Sequence, residues 1–522
     1  MVMSVSSTDL GFEYTQAVCR AVELYTHAME AKNPAAFEYR GANLKYAVER
    51  LLYFAFVNNE PQYAMFSACR QGGLSENVEV PTELERDMAL HLCGPDLPSG
   101  RVRVKPPERA REEGLLRRIG GKIGRSLGAI LDKGDASTVQ PSGTATDPKE
   151  ARPAVLIYVI QEKFVRYLLP VTDRLPVPYA YLLNVNLTAV NRELEPFFLK
   201  QGLRYIKSLD SGPPATARHV REALSNFYHL TEWYDQVYSD LARIGPECLL
   251  LVEGNAPQDA VIHQACVQLS IPVVCVQQGW SPIVHNGFRN MSYTKMLVWG
   301  DGFMDILRPF NSEQNFVVTG SHVVDFEEPG DRVSQSNRRA ICFFMQGVSR
   351  LISKEHRDEF LRLVKLVAAE FSDTPVLVRE HPSYSLGIEE QADLARFPNI
   401  RLTPPKEYPM SEVLGASRLS VSIYSSTILE SIAGGVLPLI FNMTSLPAYS
   451  PDVHAAGAGL EVKTLEAAIQ AIRRIVTDDA YGRQFGPAME QFRQRYFSRH
   501  HQSAADRIVH EIVSLCRASG GA

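Results

Sequence analysis

The sequence predicts an α/β protein in which a helical N-terminal segment precedes two facing Rossmann-like domains. The chain of 522 residues is too long for one ordinary domain. From residue 153 onward, short apolar runs alternate with helical segments, and this alternation breaks once, near residue 320. Each of the two series spans about 170 residues, a length that suits one Rossmann-like domain. We therefore predict one such domain at 153–325 and another at 326–522.

The N-terminal segment, residues 1–97, has the apolar spacing of helices. Leu44, Val48, Leu51 and Ala55 recur at three- and four-residue intervals, and no alternating strand pattern is visible. No residue of this segment points to a chemical reaction. We predict a helical domain that caps the rest of the protein or binds a partner.

The next segment, residues 98–152, differs in composition. Nine basic side chains against three acidic ones lie between Arg101 and Arg125, and Pro, Gly, Ser and Thr follow. Such composition is typical of a flexible linker, which is our prediction. Apolar residues at helical spacing within 101–131 leave an alternative, a basic helix on an anionic membrane surface. Gly120, Gly121, Gly124 and Gly128 oppose it, since each disfavours a helix by about 1 kcal/mol.

Composition limits the class of protein. Hydrophobic residues make up 45% and charged residues 22%, as in a globular protein with a real core. The net charge of −5 argues against a general nucleic-acid binder, which needs surplus Lys and Arg. The eight cysteines form no CxxC pair or zinc-ligand spacing, so we expect buried, reduced thiols. No signal-peptide pattern or bilayer-length apolar run occurs, which predicts a cytoplasmic protein, with attachment to the cytoplasmic face of the membrane as the alternative.

The strands are predicted from continuous apolar, β-branched runs, because parallel strands are covered on both faces. Those of the first series lie at 154–160, 179–184, 248–252, 273–277 and 296–299. Those of the second lie at 341–345, 375–379, 400–403, 419–423 and 436–441. Helical segments between them include 218–241 and 256–269. Ligands of such sheets bind where strands end, so the residues after each strand are the candidates for function.

One candidate group follows the strand at 375–379. It comprises Arg379, Glu380, His381 and Pro382. An arginine can bind phosphate oxygens with two N–H groups, and a histidine can donate to a phosphate or a departing phosphoester oxygen. Proline fixes the turn. The alternative is that His381 only caps the next helix.

A second group follows the strand at 419–423. Ser425, Ser426 and Thr427 supply three hydroxyls at a helix start, where donors and the helix dipole suit a phosphate. Glu430 lies one turn into that helix, where a carboxylate can accept both hydroxyls of a ribose. An ordinary helix cap explains one hydroxyl but not the carboxylate or the Arg-Glu-His-Pro group.

Together these residues resemble the donor-nucleotide half of GT-B glycosyltransferases, over residues 245–500. Within that group the residues resemble those of bacterial surface-carbohydrate enzymes: capsule-type sugar transferases, glycerophosphate transferases and sialyltransferases with a His-Pro motif. The resemblance implies that His381, Ser425, Ser426 and Thr427 contact the nucleotide and its phosphate. It also implies that Glu430 binds the ribose.

Two further stretches fit this resemblance. Gln277-Gln278-Gly279-Trp280 resembles the Gln-His-Gly turn of such enzymes, with Gln278 in place of the histidine. Residues 316–325, which include Thr319-Gly320-Ser321 and Asp325, resemble the interdomain passage of UDP-N-acetylglucosamine 2-epimerases. Gln278 and Gly279 are therefore further candidates for the cleft.

The first Rossmann-like domain is expected to hold the acceptor and the catalytic base. Glu253, at the end of the strand 248–252 and followed by Gly254, resembles the acidic residue of the sialyltransferase Asp/Glu-Gly motif, although only one acidic residue stands here. Such a carboxylate could remove the proton of the acceptor hydroxyl. His285 is a second candidate base, with a purely structural role as its alternative.

The resemblance implies an enzyme that needs neither a metal nor a cofactor beyond its nucleotide-sugar substrate, because GT-B enzymes stabilise the leaving phosphate with helix N-termini and side chains. No DxD motif of metal-dependent transferases stands convincingly at a strand end; the two aspartates of 301–305 are too widely spaced.

We thus predict transfer of a sugar from a nucleotide donor to a glycan or glycoconjugate acceptor. One basic residue and a hydroxyl cluster favour a CMP-linked acidic sugar of the sialic-acid or Kdo type. Arg379 with Arg350 could instead serve the diphosphate of a UDP- or GDP-sugar. A UDP-N-acetylglucosamine 2-epimerase-like enzyme and a non-catalytic scaffold are the alternatives. The residues do not distinguish an inverting from a retaining reaction.

Overall fold

The protein is described by a computed structural model over residues 7–72, 77–97, 101–105, 152–184, 191–208, 227–322, 338–382, 384–444, 446–498 and 502–519. Most of the predicted linker and membrane-binding stretch, residues 106–151, lies outside these ranges, as does Asp325. The linker, its membrane alternative and the boundary at 325 stay predictions.

The described part of the N-terminal segment contains four α-helices and three very short strands, and a fourth short strand, at 102–104 in the predicted linker, pairs with the third. These elements are α1 (Ser7–Lys32), β1 (Glu38–Tyr39), β2 (Ala42–Asn43), α2 (Lys45–Val57), α3 (Glu60–Arg70), β3 (Val78–Val80), α4 (Glu83–Cys93) and β4 (Val102–Val104). Side-chain caps start two of the helices: Asn59 accepts from the Gln62 N–H, and Thr82 accepts from the Glu85 N–H. The helical character is confirmed. The strands were not predicted, because two or three residues are too few to show a period.

The first large sheet has seven parallel strands in the order β11-β10-β9-β8-β5-β6-β7. Its strands and helices, in chain order, are β5 (Val155–Tyr158), α5 (Glu162–Thr172), β6 (Tyr179–Leu183), α6 (Asn191–Gln201), β7 (Tyr205–Lys207), α7 (Tyr228–Ile244), β8 (Cys248–Val252), α8 (Pro257–Gln268), β9 (Val273–Val276), β10 (Lys295–Val298), α9 (Asp301–Leu307) and β11 (Phe316–Val318). Its central strands are fully buried, as sheets covered on both faces require.

The second large sheet has six parallel strands in the order β14-β13-β12-β15-β16-β17. Its elements are β12 (Ala340–Phe344), α10 (Lys354–Glu370), β13 (Val376–Arg379), α11 (Ile388–Leu394), β14 (Ile400–Leu402), α12 (Met410–Ala416), β15 (Ser417–Ser422), α13 (Thr427–Ala433), β16 (Leu437–Phe441), β17 (Leu460–Val462), α14 (Leu465–Thr477), α15 (Asp479–Arg483) and α16 (Gly486–Phe497). The last helix, α17 (Ala504–Ser519), follows.

The predicted fold class, two parallel Rossmann-like sheets in succession, is confirmed. All ten predicted strands occur, with ends within two residues of the prediction. Three strands were missed, namely β7, β11 and β17. Each has three residues and stands at the edge of its sheet, where a strand need not be a continuous apolar run. Helix 256–269 is confirmed by α8, and 218–241 in part by α7, because 209–226 lies outside the described residues.

The three predicted units share hydrophobic cores. Buried residues of α1 and α2, such as Val18 and Leu51, join Leu156 and Leu249 of the first sheet in one cluster. The C-terminal helix α17 packs on the opposite face of that sheet, through residues such as Ile512. The last helix of the predicted 326–522 domain thus contributes to the core of the first domain. The domain boundaries themselves stay predictions.

All eight cysteines are buried and carry no disulfide. Among the described helices, none is both long enough and apolar enough to cross a membrane. Within the same residues, no group of three or more His, Cys, Asp or Glu side chains is arranged to hold a metal ion.

Candidate active site

Glu253 follows β8 in a strained backbone conformation. Its φ angle is 63° and that of Gly254 is 65°, so two successive residues are left-handed, which a non-glycine residue rarely adopts. A Cβ atom at Gly279 would lie 2.8 Å from Glu253 Oε1. The carboxylate therefore rests against the turn 277–280, where a side chain at position 279 would displace it. Strain of this kind is typically retained at functional sites.

The surroundings of Glu253 suit a general base. Burial raises the pKa of its carboxyl, and Lys163 opposes this rise. A carboxylate with a raised pKa holds a proton more strongly than an exposed one. This is the property that a base for a sugar hydroxyl needs.

Arg50, from α2 of the N-terminal segment, holds the turn of Glu253 and Gly254. Its side chain is 2% exposed, and its Nη1 donates to the Gly254 carbonyl at 2.8 Å and to Tyr293 Oη at 3.2 Å. Tyr293 Oη donates to the same carbonyl at 2.6 Å. Sequence reasoning missed Arg50. The available signal was a charged residue on the apolar face of an amphipathic helix, beside Leu51.

The turn 277–280 joins the two domains. Gln277 is buried; its Oε1 accepts from the Trp299 N–H at 3.0 Å, and its carbonyl accepts from Trp299 Nε1 at 2.9 Å. Trp280 Nε1 donates to the Ser450 carbonyl of the second domain at 2.6 Å. Gln278 lies partly exposed in the turn. The turn that contacts Glu253 therefore also contacts the loop after β16.

The hydroxyl cluster of the second domain contains buried polar atoms that lack partners. Ser425 Oγ accepts from the Thr427 N–H at 3.3 Å, whereas Ser426 starts α13 without a side-chain cap. Within the described part of the chain, Thr427 Oγ1 and Tyr449 Oη are buried and make no hydrogen bond. A buried hydroxyl without a partner costs about 1–3 kcal/mol, so a polar ligand here would be stabilised.

Glu430 lies close enough to Tyr449 to influence the ionisation of its hydroxyl. Burial raises the pKa of Glu430 to about 7, and Arg379 opposes this rise. Burial also raises the pKa of Tyr449, and the charges of Tyr424 and Glu430 add to this effect. Tyr449 directly precedes Ser450, the residue that Trp280 contacts. Tyr449 was missed, because its loop has no recognisable pattern.

Gln346 aligns the loop that carries the hydroxyl cluster. Its Nε2 donates to the Tyr424 carbonyl at 2.6 Å, and its Oε1 accepts from the Tyr424 N–H at 2.8 Å. This pair of bonds ties the end of β12 to the end of β15. Gln346 was also missed, because a single amide after a strand carries no signal of its role.

The Arg-Glu-His-Pro group is divided between structural and accessible residues. Arg379 is 7% exposed, and its Nη1 donates to the Tyr408 carbonyl at 2.8 Å. Glu380 Oε1 accepts from the Leu386 N–H at 2.9 Å. Burial lowers the pKa of His381, which keeps its imidazole neutral at pH 7, and its ring lies 5.3 Å from that of Tyr384. Pro382 is exposed. His381 is thus the polar side chain of the group that can reach a ligand.

Two predicted site residues lie in other surroundings. His285 is stacked on Tyr53, with ring centroids 4.5 Å apart, and its Nδ1 accepts from the Gly287 N–H at 3.1 Å. Burial lowers its pKa to about 3, so it is a packing residue rather than an exposed base. Arg350 enters the N-terminal segment, where it lies 4.6 Å from the Tyr63 ring centroid and its Nη2 donates to Glu60 at 2.8 Å. These contacts replace the phosphate contact predicted for Arg350.

The structure thus consists of two successive Rossmann-like units, with one cluster of candidate site residues at the carboxyl ends of the strands of each sheet. No protein-family model matches the sequence, and no curated protein matches it.

Solved structures are similar over about 70% of the chain, and three illustrate the range. A UDP-GlcNAc 2-epimerase from Neisseria meningitidis bound to UDP-GlcNAc is 14% identical, with a TM-score of 0.47, and the match covers 69% of this chain and 99% of that one. A putative UDP-N-acetylglucosamine 2-epimerase from Listeria monocytogenes is 13% identical, with a TM-score of 0.45, over 70% of this chain and 96% of that one. The glycotransferase of kitacinnamycin is 14% identical, with a TM-score of 0.44, over 70% of this chain and 100% of that one. These values are too low for an activity to be carried over to this chain.

Proposed function

We propose that this chain is a glycosyltransferase that moves a sugar from a nucleotide donor to a hydroxyl of a glycan or glycoconjugate. One observation carries the proposal. The Trp280–Ser450 bond brings a strained, half-buried carboxylate of the first domain and a cluster of unpartnered hydroxyls of the second to the same interdomain contact. A base on one side and phosphate or ribose ligands on the other are what sugar transfer requires.

In the proposed reaction, Glu253 takes the proton of the acceptor hydroxyl. The acceptor oxygen forms a bond to the anomeric carbon, and the bond from that carbon to the donor phosphate oxygen breaks. The electron pair stays on the leaving phosphate, which Thr427, Ser425 and His381 stabilise through hydrogen bonds. Glu430 holds the ribose hydroxyls.

The charges around this cluster favour a donor with one phosphate. Arg350 is bound to Glu60 and the tyrosines of the N-terminal segment, and Arg379 is bound to backbone carbonyls. Hydroxyls and a neutral His381 remain, and these suit the one phosphate of a CMP-linked sugar better than the two phosphates of a diphosphate-linked sugar. We therefore propose a CMP-linked acidic sugar as donor.

Nucleotide binding tests the proposal directly. Thermal unfolding of the purified protein would be followed with CMP, CDP, UDP and GDP, where a ligand at 100 times its Kd adds about 2.7 kcal/mol to the free energy of unfolding. We expect the largest shift with CMP, and its loss in Thr427→Val/Tyr449→Phe. Tyr238→Phe, in α7, is the matched control and should keep the shift. If no nucleotide raises the melting temperature, there is no donor site.

Two other functions predict different results. A UDP-N-acetylglucosamine 2-epimerase-like enzyme would incorporate deuterium at C2 of UDP-GlcNAc in D2O without any acceptor, whereas a transferase would not. A non-catalytic scaffold would keep its biological effect in Glu253→Ala and His381→Ala. A transferase would lose its effect in both.

A further inference from the structure

A large cavity lies at the edge of the second sheet opposite the candidate active site. Its volume is about 710 Å³, and it opens beside the amino ends of β12, β15 and β16. Arg339 directly precedes β12, Arg418 is the second residue of β15, and Gly435 comes just before β16. The active-site residues follow the carboxyl ends of the same sheet, so the two sites are on opposite edges.

The cavity carries a surplus of positive charge. Five arginines line it against two carboxylates, which leaves three net positive charges among the described lining residues. The arginines are Arg338, Arg339, Arg418, Arg483 and Arg493, and the carboxylates are Asp479 and Glu490. The chain as a whole is negative, at −5, so this concentration of guanidinium groups is local.

Two of these arginines are anchored by helix ends. Arg338 Nη1 donates to the Gly434 and Gly435 carbonyls at 3.0 Å each, at the end of α13. Arg418 Nη2 donates to the Ile475 carbonyl at 2.6 Å, near the end of α14, and to Asp479 at 2.8 Å. Such bonds fix the guanidinium groups in place in advance of ligand binding. Preorganised donors bind an anion at a lower entropic cost.

Two further arginines have no such anchor. Arg339 and Arg483 are exposed, and neither forms an ion pair with any described residue. The adjoining α16 has 12 residues and starts at Gly486 without a side-chain cap. A Cβ atom at Gly482 or Gly486 would meet nothing within 4 Å, so the backbone there faces open space. An uncapped helix N-terminus adds to the attraction for an anion.

We propose that this arginine-lined cavity binds a small phosphorylated anion, separately from the candidate active site. The bonds to helix ends explain why Arg338 and Arg418 are present, and the ion pair with Glu490 at 2.9 Å explains Arg493. Capping does not account for Arg339 and Arg483, nor for a cavity large enough for a molecule with more than one phosphate. A free phosphate ester and a lipid headgroup share this chemistry. The proposal does not depend on the proposed transferase activity.

Calorimetric titration with pyrophosphate at constant ionic strength tests the proposal. We expect the Kd to rise at least about tenfold in Arg339→Ser/Arg483→Ser, since each guanidinium would make charge-assisted hydrogen bonds to the anion. The matched control is Arg362→Ser/Arg396→Ser, which removes two exposed arginines of the same domain outside the cavity and should bind like the wild type. Thr427→Val/Tyr449→Phe should also keep pyrophosphate binding, whether or not the chain binds nucleotides. Loss of binding in that variant would place the anion at the active site and overturn the inference.

Co-sedimentation with vesicles identifies the source of the phosphate. Binding to phosphatidylglycerol but not phosphatidylcholine vesicles, lost in Arg339→Ser/Arg483→Ser, would assign a lipid headgroup. Binding of pyrophosphate alone would assign a free phosphate ester. Binding of neither probe, or equal binding by the wild type and the double variant, would overturn the proposal.

Discussion

At the scale of single residues, Glu253 combines backbone strain, partial burial and a close approach to Gly279. A non-glycine residue in the left-handed region costs about 1–3 kcal/mol and persists where surrounding contacts enforce it. Here the Glu253 N–H donates to the Val276 carbonyl at 2.8 Å, while Arg50 and Tyr293 hold the next carbonyl. The strained turn therefore aims one carboxylate at the interdomain turn 277–280.

Glu253→Gln should remove the base while keeping the shape of the site. We expect kcat to fall about 10²- to 10⁴-fold, the usual contribution of a general base, with the nucleotide Kd unchanged. In the wild type, kcat should decline as pH falls through the raised pKa of this carboxyl, and the variant should lack that limb. Glu412→Gln, an exposed residue of α12, is the control. A variant with wild-type turnover would show that Glu253 is not the base.

The raised pKa of Glu430 leads to predictions about both stability and nucleotide binding. Its folded-state pKa, about 7, exceeds the ordinary value of 4.5, so the folded state holds this proton more strongly than the unfolded state. That contribution to stability is present below pH 4.5 and is lost as pH rises to about 7. Glu430→Gln should therefore be more stable than the wild type above pH 7 and similar to it at low pH, as measured by urea unfolding.

The same substitution tests ribose binding. Since the ionised carboxylate accepts ribose hydroxyls, nucleotide affinity of the wild type should increase as pH rises through about 7 and should be flat in Glu430→Gln. Burial also raises the pKa values of Asp259 and Glu49 to about 7, but these two residues are present in the wild type and in Glu430→Gln alike. A pH dependence that survives the substitution would belong to another group.

At the scale of elements, α2 acts on the candidate site from outside the Rossmann-like domains. The helix packs on α8 and on residues 286–288, and Arg50 reaches the carbonyl after Glu253. His285 belongs to the same contact, where it stacks on Tyr53. The N-terminal helices therefore position the turn of the candidate base.

Arg50→Met should release this turn. We expect the free energy of unfolding to fall by about 1–3 kcal/mol, because the buried carbonyls of Gly254 and Ala256 lose a donor. We also expect kcat to fall and the low-pH decline of kcat that is assigned to Glu253 to shift, while the nucleotide Kd stays unchanged. Arg50→Lys should restore part of kcat. Lys45→Met, on the same helix as Arg50, removes an ion pair to Glu30 of α1 and should leave kcat unchanged. Full turnover in Arg50→Met would limit Arg50 to a structural role.

At the scale of the whole molecule, the N-terminal segment contacts both Rossmann-like domains. Arg50 binds the first, and Arg350 of the second lies against Tyr14 and Tyr63 and is bonded to Glu60. Close backbone contact reinforces the second link, since a Cβ atom at Gly11 would clash with the Arg350 carbonyl. Together with the Trp280–Ser450 bond, these contacts set how the two domains meet.

Arg350→Ala should loosen the N-terminal segment without affecting donor binding. Loss of the cation–π contacts and of the bond to Glu60 should lower stability by about 1–3 kcal/mol and speed limited proteolysis near α2 and α3. The nucleotide Kd should stay at the wild-type value. A Kd raised about tenfold would instead restore Arg350 as a phosphate ligand.

Local patterns in the sequence are enough to predict the fold class and the strand ends that carry the candidate residues. Buried parallel strands are long apolar runs, and the polar residues directly after them are easily recognised. Glu253, Ser425 and Glu430 are therefore selected by sequence alone. Edge strands such as β17 escape prediction, because half-exposed strands lack that pattern.

Tertiary packing decides which candidates lie together and which side chains are already bound. Arg350 and His285 have the chemistry of site residues, yet contacts with the N-terminal helices occupy both. The roles of Arg50, Gln346 and Tyr449 could not be assigned from sequence, because they depend on partners far away in the chain, such as the carbonyl 204 residues after Arg50. Residue type and local spacing set what a side chain can do, whereas long-range packing sets which group it meets.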